Sequence, residues 1–150
     1  MTMMKAPHFN ICKMTYIGID PGVHTGFAVW HSESRYLAEV ETYSITQAME
    51  RVKMLADILG KDNIRVFVED ARKRKWFGNS GREKLQGAGS VKRDSRIWED
   101  WCMEQGLQYR MVPPKNNRTK LSAAQFRVFT KWQGRTSEHS RDAACIVFGR

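Results

Sequence analysis

The sequence predicts an α/β protein in which helices flank a mixed five-stranded sheet. Three short β-type runs come first, separated by brief connections, and this spacing predicts an antiparallel meander. Two further β-type runs then alternate with segments of helical periodicity. The element order is β-β-β-α-β-α-β-α-α, and a length of 150 residues suits one domain.

The five strands are predicted over residues 15–20, 26–30, 36–43, 64–68 and 108–112. The first is a buried-type run that stops at Pro21, and a tight turn leads from it to the second. The fourth is rich in β-branched and aromatic residues, which is typical of a strand in the middle of a sheet. The fifth stops at Pro113, since proline lacks the amide that a strand needs.

The first helix has clear signals at both ends. Ser44 and Gln47 have the spacing of a capping box, in which each side chain bonds the backbone of the other residue. Apolar residues then recur at helical spacing from Ile45 to Leu59, and Gly60 ends the helix.

The later helices have weaker boundaries. Residues 71–89 contain four glycines and many charges, which predicts a mobile loop. The second helix is predicted from about residue 89 to residue 105, and a fourth over residues 140–148. The apolar face of the second helix is Val91, Trp98, Trp101 and Cys102. The apolar face of the third is Leu121, Ala124, Val128, Phe129 and Trp132.

Residues 1–14 are predicted to form a flexible arm, and residues 15–150 a single domain. The arm lacks the apolar core of a secretory signal, and no apolar run is long enough to span a membrane. The three widely spaced cysteines predict neither a disulfide framework nor a zinc site. We therefore expect a cytoplasmic protein. Its shortness would suit a viral or mobile-element origin, with Met14 as an alternative start.

The positive charge is concentrated in two blocks. Residues 71–96 contain nine basic and two acidic residues, a net of +7, and residues 110–135 contain seven basic residues and no acid. Because the whole chain carries +9, the remainder carries −5. This distribution indicates a polyanionic partner such as nucleic acid, although a solvated basic surface without a partner is the plainer alternative.

Acidic residues fall where strands end. Asp20 ends the first strand and Glu69 follows the fourth, so the two carboxylates are a few ångströms apart if these strands are neighbours. His139 and Asp142, three residues apart near the start of the last helix, share one helix face. We expect these four side chains to converge at one edge of the sheet.

Converging carboxylates repel each other unless a cation lies between them. Oxygen-rich sites with open positions suit Mg²⁺ or Mn²⁺. Two such ions about 4 Å apart can activate a water and stabilise the leaving oxygen of a phosphodiester. Because the basic blocks can hold phosphates beside such a site, the pattern predicts a nuclease.

Each of these residues also has a simpler interpretation. Asp20 before Pro-Gly is typical of a turn, and Asp142 could complement a helix N-terminus. Glu69 could end a solvated strand together with Asp70, and His139 could lie on an exposed loop. The ordered spacing of these four residues, together with the two basic blocks, favours a metal site over the simpler interpretations.

Three segments resemble the motifs of RuvC-type Holliday junction resolvases, which belong to the ribonuclease H-like nuclease superfamily. The first is Ile-Gly-Ile-Asp-Pro-Gly at residues 17–22, followed by Thr-Gly-Phe-Ala at residues 25–28. The second is Val-Phe-Val-Glu at residues 66–69, and the third is His-Ser-Arg-Asp-Ala-Ala at residues 139–144. The third motif of that family carries an Asp or a His three residues before the final Asp, and His139 matches the His form.

The resemblance implies a ribonuclease H-like fold and an endonuclease that resolves four-way DNA junctions by paired symmetric nicks, in recombination or repair. It implies two Mg²⁺ ions per active site, replaceable by Mn²⁺, held by the catalytic residues Asp20, Glu69, His139 and Asp142. It also implies a homodimer whose interface would be the helix with Trp98 and Trp101, for which plain core packing is an equal alternative.

The predicted DNA contacts come from both basic blocks. They are Arg72, Lys73, Arg74, Lys75, Trp76, Phe77, Arg82, Lys84, Lys115 and Lys120. The family places an aromatic residue after the second acid, where it stacks at the crossing point of the junction, and Trp76 and Phe77 are the candidates. Four basic residues between Glu69 and this pair depart from the family pattern. We expect them to strengthen phosphate binding and to relax selectivity for junctions.

Three other functions are alternatives. A ribonuclease H-like nuclease for flaps, forks or RNA–DNA hybrids would use the same acids without needing a dimer. A DNA-binding module without catalysis would not need four intact ligand positions. An ATPase of the sugar-kinase or actin type opens with a similar Asp-x-Gly, but needs two such domains and more than twice this length.

Overall fold

The computed structural model describes residues 13–73, 82–114 and 120–150, and of residues 82–88 it describes only the backbone. The strands are β1 (Thr15–Asp20), β2 (Thr25–His31), β3 (Tyr36–Tyr43), β4 (Ile64–Glu69) and β5 (Gln108–Val112). The helices are α1 (Ile45–Leu59), α2 (Arg82–Glu104), α3 (Ala123–Thr130) and α4 (Glu138–Val147). Single 3₁₀ turns, Lys61–Asn63 and Ala71–Lys73, flank β4.

The strands form one mixed sheet in the order β3-β2-β1-β4-β5. β1, β2 and β3 pair antiparallel as a meander, whereas β4 lies parallel to β1 and β5 lies parallel to β4. The predicted α/β class, element order and mixed sheet are therefore confirmed. The parallel pairing brings the carboxyl ends of β1, β4 and β5 to the same edge of the sheet.

Helices cover both faces of the sheet because the side chains of a strand alternate between the two faces. Ile17, Ile19, Val66 and Val68 pack with α1 and α2 in one core cluster. Ala28, Phe67 and Val112 pack with α3 and α4 in the other. In the described part of the chain, none of the helices combines the length and hydropathy that crossing a membrane requires.

The start of α1 is as predicted. The Ser44 side chain accepts a hydrogen bond from the Gln47 amide, the Gln47 side chain accepts one from the Ser44 amide, and Gly60 lies just beyond the last turn. Because these signals are local in sequence, they needed no tertiary information to be read correctly.

The predicted start of α2 was wrong. The helix begins at Arg82, so residues 82–89 of the predicted mobile loop are helical, although glycine costs about 1 kcal/mol relative to alanine within a helix. Residues 74–81 of that loop lie outside the described residues. The buried face also differs from the prediction, because Val91 is 40% exposed while Ser95 is fully buried. Trp98 is fully buried and meets Trp101 edge to face, so core packing accounts for Trp98.

The apolar face predicted for α3 was right only in part, since Leu121 and Trp132 pack against the core as predicted. Val128 is 73% exposed and Phe129 is 54% exposed, whereas Phe126 is the residue that enters the core. The helix begins after Ser122, whose side chain accepts a hydrogen bond from the Gln125 amide.

Helix α4 begins earlier than predicted, at Glu138, because Ser137 caps it by accepting a hydrogen bond from the Ser140 amide. Ser137 also lies 2.5 Å from the Thr42 hydroxyl at the end of β3. The first turn of α4 is therefore fixed to the sheet, and His139 and Asp142 both lie within the helix.

Two glycines allow α4 to lie directly on β1 and β2. A Cβ atom placed on Gly18 would lie 2.3 Å from the carbonyl oxygen of Ala143, and one placed on Gly26 would lie 1.9 Å from that of His139. Both distances are shorter than real carbon–oxygen contacts, so only glycine fits while the helix stays in place. This close approach brings the first turn of α4 beside the end of β1.

Gly26→Ala should therefore destabilise the protein by about 1–3 kcal/mol, the usual cost of overpacking a core, because the helix backbone must move away. Gly89→Ala is the matched control, since a Cβ there meets nothing within 4 Å and alanine is the better helix former. Urea unfolding followed by circular dichroism measures both. Equal stability of the two variants would contradict the close-packing argument.

Candidate active site

Asp20, the last residue of β1, lies at the carboxyl edge of the sheet with its side chain 15% exposed. The turn that follows is held by the fully buried Thr25, whose hydroxyl donates to the Gly22 carbonyl oxygen at 2.7 Å. The carboxylate is therefore presented from a fixed backbone and is largely shielded from solvent.

His139 contacts Asp20 across the β1–α4 junction. The imidazole Nδ1 lies 3.1 Å from Oδ2 of Asp20, and the ring is about half exposed. When Asp20 is ionised, Nδ1 must carry the proton in this hydrogen bond. Nε2 of the neutral ring then has its lone pair available to accept a proton or to bind a cation.

Asp142 lies one helical turn after His139 on α4. Its Oδ2 is 3.5 Å from the Lys120 ammonium nitrogen, and Lys120 also contacts the carboxylate of Glu138. These two acids raise the pKa of Lys120, the larger effect being its hydrogen bond to Glu138. Lys120 therefore lies beside Glu138 and Asp142 and offsets part of their negative charge.

The environment of Asp20 disfavours its charged form. The pKa of Asp20 is raised to about 6, mainly by burial and also by the negative charge of Asp142, and the hydrogen bond from His139 offsets part of this rise. Two carboxylates that repel each other at a shielded position form a site that gains free energy from any cation placed between them.

Glu69 ends β4 beside Asp20. The last paired residues of the two parallel strands are Ile19 and Val68, and Asp20 and Glu69 each follow one residue later. Because side chains alternate along strands, both acids point to the face covered by α4. The two strands are about 4.8 Å apart, so Glu69 lies at the same edge of the sheet as Asp20, here called the acidic edge.

The turn after Glu69 is anchored on both sides. The amide of Asp70 donates to the Val112 carbonyl oxygen at 2.7 Å, which ties the turn to β5. The buried Ser95 hydroxyl of α2 lies 3.2 Å from the Glu69 carbonyl oxygen and 3.4 Å from the Ala71 amide nitrogen. Sequence reasoning missed Ser95, although a small polar residue on the buried face of an apolar helix was a usable signal.

Asp70 has a structural partner. Its carboxylate accepts hydrogen bonds from the Arg72 guanidinium at 2.8 and 2.9 Å, and Arg72 also contacts Glu99 of α2 at 2.8 Å. Burial raises the pKa of Asp70, but the hydrogen bonds and charge of Arg72 outweigh it, so the pKa lies below its usual value. Lys73 in turn donates to the Met111 carbonyl oxygen at 2.9 Å.

Of the predicted DNA contacts, the structure describes the side chains of three. Arg72 pairs with Glu99, Lys73 donates to the Met111 carbonyl oxygen, and Lys120 contacts Asp142. Arg74, Lys75, Trp76, Phe77 and Lys115 lie outside the described residues, as do the side chains of Arg82 and Lys84 at the start of α2.

His24, in the turn between β1 and β2, lies near His139 and was not singled out from the sequence. Its ring lies 6.5 Å from that of His139, inclined by 30°, and His24 is exposed. Nothing in the sequence near position 24 signals this proximity, since residues 24 and 139 are brought near each other only by the packing of α4 on β1 and β2.

The donor chemistry of this edge suits a hard divalent cation, because it consists of carboxylates and one imidazole. Within residues 13–73, 82–114 and 120–150, however, no three His, Cys, Asp or Glu side chains are placed so that together they could hold a metal ion. The hydrogen bond from His139 and the ammonium group of Lys120 instead offset the negative charge of Asp20 and Asp142.

No protein-family model matches this chain, and no curated protein matches it either.

Asp70→Asn should lower the free energy of unfolding by about 1–3 kcal/mol, because the Arg72 guanidinium loses a buried, charge-assisted acceptor. Asp100→Asn is the control, since Asp100 is 52% exposed and lies 3.8 Å from Arg96, a pair worth at most about 1 kcal/mol. Urea unfolding compares the two. A larger loss in the control would show that Asp70 does not hold this turn.

Proposed function

We propose that this protein is a metal-dependent endonuclease with a ribonuclease H-like fold, and that its substrate is the four-way DNA junction. One observation supports the proposal: His139 hydrogen-bonds Asp20, and Asp142 adds its charge to Asp20 although it is 122 positions away in the chain. Glu69 ends the strand next to that of Asp20. These are also the residues that resemble the metal-binding positions of RuvC-type resolvases.

In this proposal Asp20, Glu69 and Asp142 hold Mg²⁺, and His139 is either a fourth ligand or the group that accepts a proton from the attacking water. When bound, Mg²⁺ supplies charge neutralisation, a more acidic water and stabilisation of the leaving oxygen. The partly buried Asp20 orients His139 through Nδ1, and this leaves Nε2 directed away from the carboxylate. The imidazole is thus placed to take a proton at Nε2.

Lys120 has two uses in the proposed reaction. Without DNA it neutralises Glu138 and Asp142, and so limits the repulsion among the acids. When the acids bind metal, the ammonium group is released to contact a phosphate of the bound strand, as the resemblance implies. A lysine side chain has the length and freedom for such an exchange.

Asp20→Asn should reduce cleavage of a labelled four-way junction in Mg²⁺ by at least about 100-fold, because the substitution removes the charge that the proposed metal needs. Junction affinity in EDTA should change little, since the basic residues remain. Asp57→Asn, an exposed change on α1, is the control and should cleave normally. Cleavage by Asp20→Asn at the normal rate would overturn the assignment of the site.

A cleavage panel distinguishes the substrates. It compares a four-way junction, a flap, a fork, an RNA–DNA hybrid and a linear duplex in Mg²⁺. Paired symmetric nicks in the junction alone would support a junction resolvase acting as a homodimer, because a two-fold substrate requires two sites. Equal cleavage of flaps, forks or hybrids would instead assign the chain to the wider group of ribonuclease H-like nucleases.

A further inference from the structure

Three arginines that the sequence analysis did not single out lie on the α4 face of the sheet, below the acidic edge. Arg65 of β4 and Arg110 of β5 point to this face, because they alternate with the residues of the α1–α2 core. The guanidinium of Arg150 covers the ring of Phe67 on the same face, 4.4 Å from its centre. Arg65, Arg110 and Arg150 are here called the arginine patch.

The patch exposes positive charge, and no acidic side chain in the described part of the chain pairs with it. All three arginines are exposed. Among the described residues, the ion pairs of the protein involve none of them. Burial lowers the pKa of Arg150, and the neighbouring charge of Arg110 lowers it further. Like charges held together without a counter-ion favour the binding of an anion.

The side chain of Arg150 is held in place by the protein. Its Nε donates to the Ile146 carbonyl oxygen at 2.6 Å, and its own carbonyl oxygen accepts from the Trp30 indole at 3.3 Å. A guanidinium that is already positioned loses less entropy when it binds a phosphate.

The patch lies in line with the acidic edge. Arg110 is two residues before Val112, which pairs with Glu69, and Arg65 is four residues before Glu69 on the same strand. At about 3.3 Å per residue these offsets are about 7 and 13 Å, or about two and four nucleotides of a duplex whose axis runs along the strands, at about 3.4 Å of axial rise.

We propose that the arginine patch binds the phosphodiester backbone of the nucleic acid about two to four nucleotides from the bond that the acidic edge cleaves. This inference rests on the proposed nuclease function and extends it. The patch would hold one strand along the β4–β5 side of the sheet, so that the strand enters the acidic edge from a fixed direction.

The test measures how salt weakens binding of a fluorescein-labelled four-way junction, by fluorescence anisotropy in EDTA between about 50 and 200 mM salt. The variant is Arg65→Gln/Arg110→Gln, which leaves Arg150 over Phe67 and so preserves the packing. The control is Lys53→Gln/Lys61→Gln, which removes the same charge from two exposed lysines of α1 and the 3₁₀ turn that follows it, outside both basic blocks.

The slope of log affinity against log salt should become shallower by about 0.9 for each lost phosphate contact, hence by about 1.8 in the variant. The control should keep the slope of the unmodified protein, and Arg65→Lys/Arg110→Lys should restore most of it. Equal slopes in variant and control would overturn the proposal. The proposal would also be overturned if the variant kept the salt slope for DNA binding but lost binding to poly-glutamate. That result would indicate that the patch binds acidic proteins.

Cleavage separates this inference from the proposed function. At saturating junction the variant should keep the kcat of the unmodified protein while KM rises, because the patch binds the strand away from the reacting atoms. A variant with a lower kcat but an unchanged salt slope would contradict the proposed DNA-binding role of the arginine patch. If the unmodified protein cleaves no substrate but the variant still shows the shallower salt slope, the proposed nuclease function is wrong. The arginine patch is then a nucleic-acid-binding surface of a protein without that activity.

Discussion

Contact between α4 and the first two strands is the constraint on which the rest of the structure depends. At Gly18 and Gly26 the helix backbone occupies the space that a side chain would fill. The capped first turn of α4 is held there by Ser137, which contacts Thr42 of β3. With the helix so fixed, His139 reaches Asp20 across the sheet edge, and Asp142 adds its charge to the same place.

The acidic edge is costly for the folded protein because a carboxylate is partly removed from water beside another carboxylate. Asp20 shows this cost as a pKa raised to about 6 by burial first and by Asp142 as well. His139 and Lys120 offset part of the negative charge. Groups with perturbed pKa values are concentrated at functional sites, and the raised pKa of Asp20 is consistent with the proposed function.

Local signals made much of the fold predictable. The capping box at Ser44, the proline after each of β1 and β5 and the β-branched run of β4 all act within a few residues. The start of α2 and the buried face of α3 were not predictable in this way. Glycine composition argued against a helix over residues 82–89, yet the structure forms one, and Phe126 enters the core where spacing favoured Val128 and Phe129.

By itself the sequence determined the α/β class and the order of the elements, because strand ends and helix spacing are local properties. It also predicted the four residues of the candidate site. Only the tertiary structure decided which charges remain available. Arg72 pairs with Asp70 and Glu99, whereas Arg65 and Arg110 are exposed on the same face of the sheet. A charged side chain is paired or unpaired according to residues that are distant in the chain and become neighbours only after folding. A count of basic residues therefore cannot show which charges are paired.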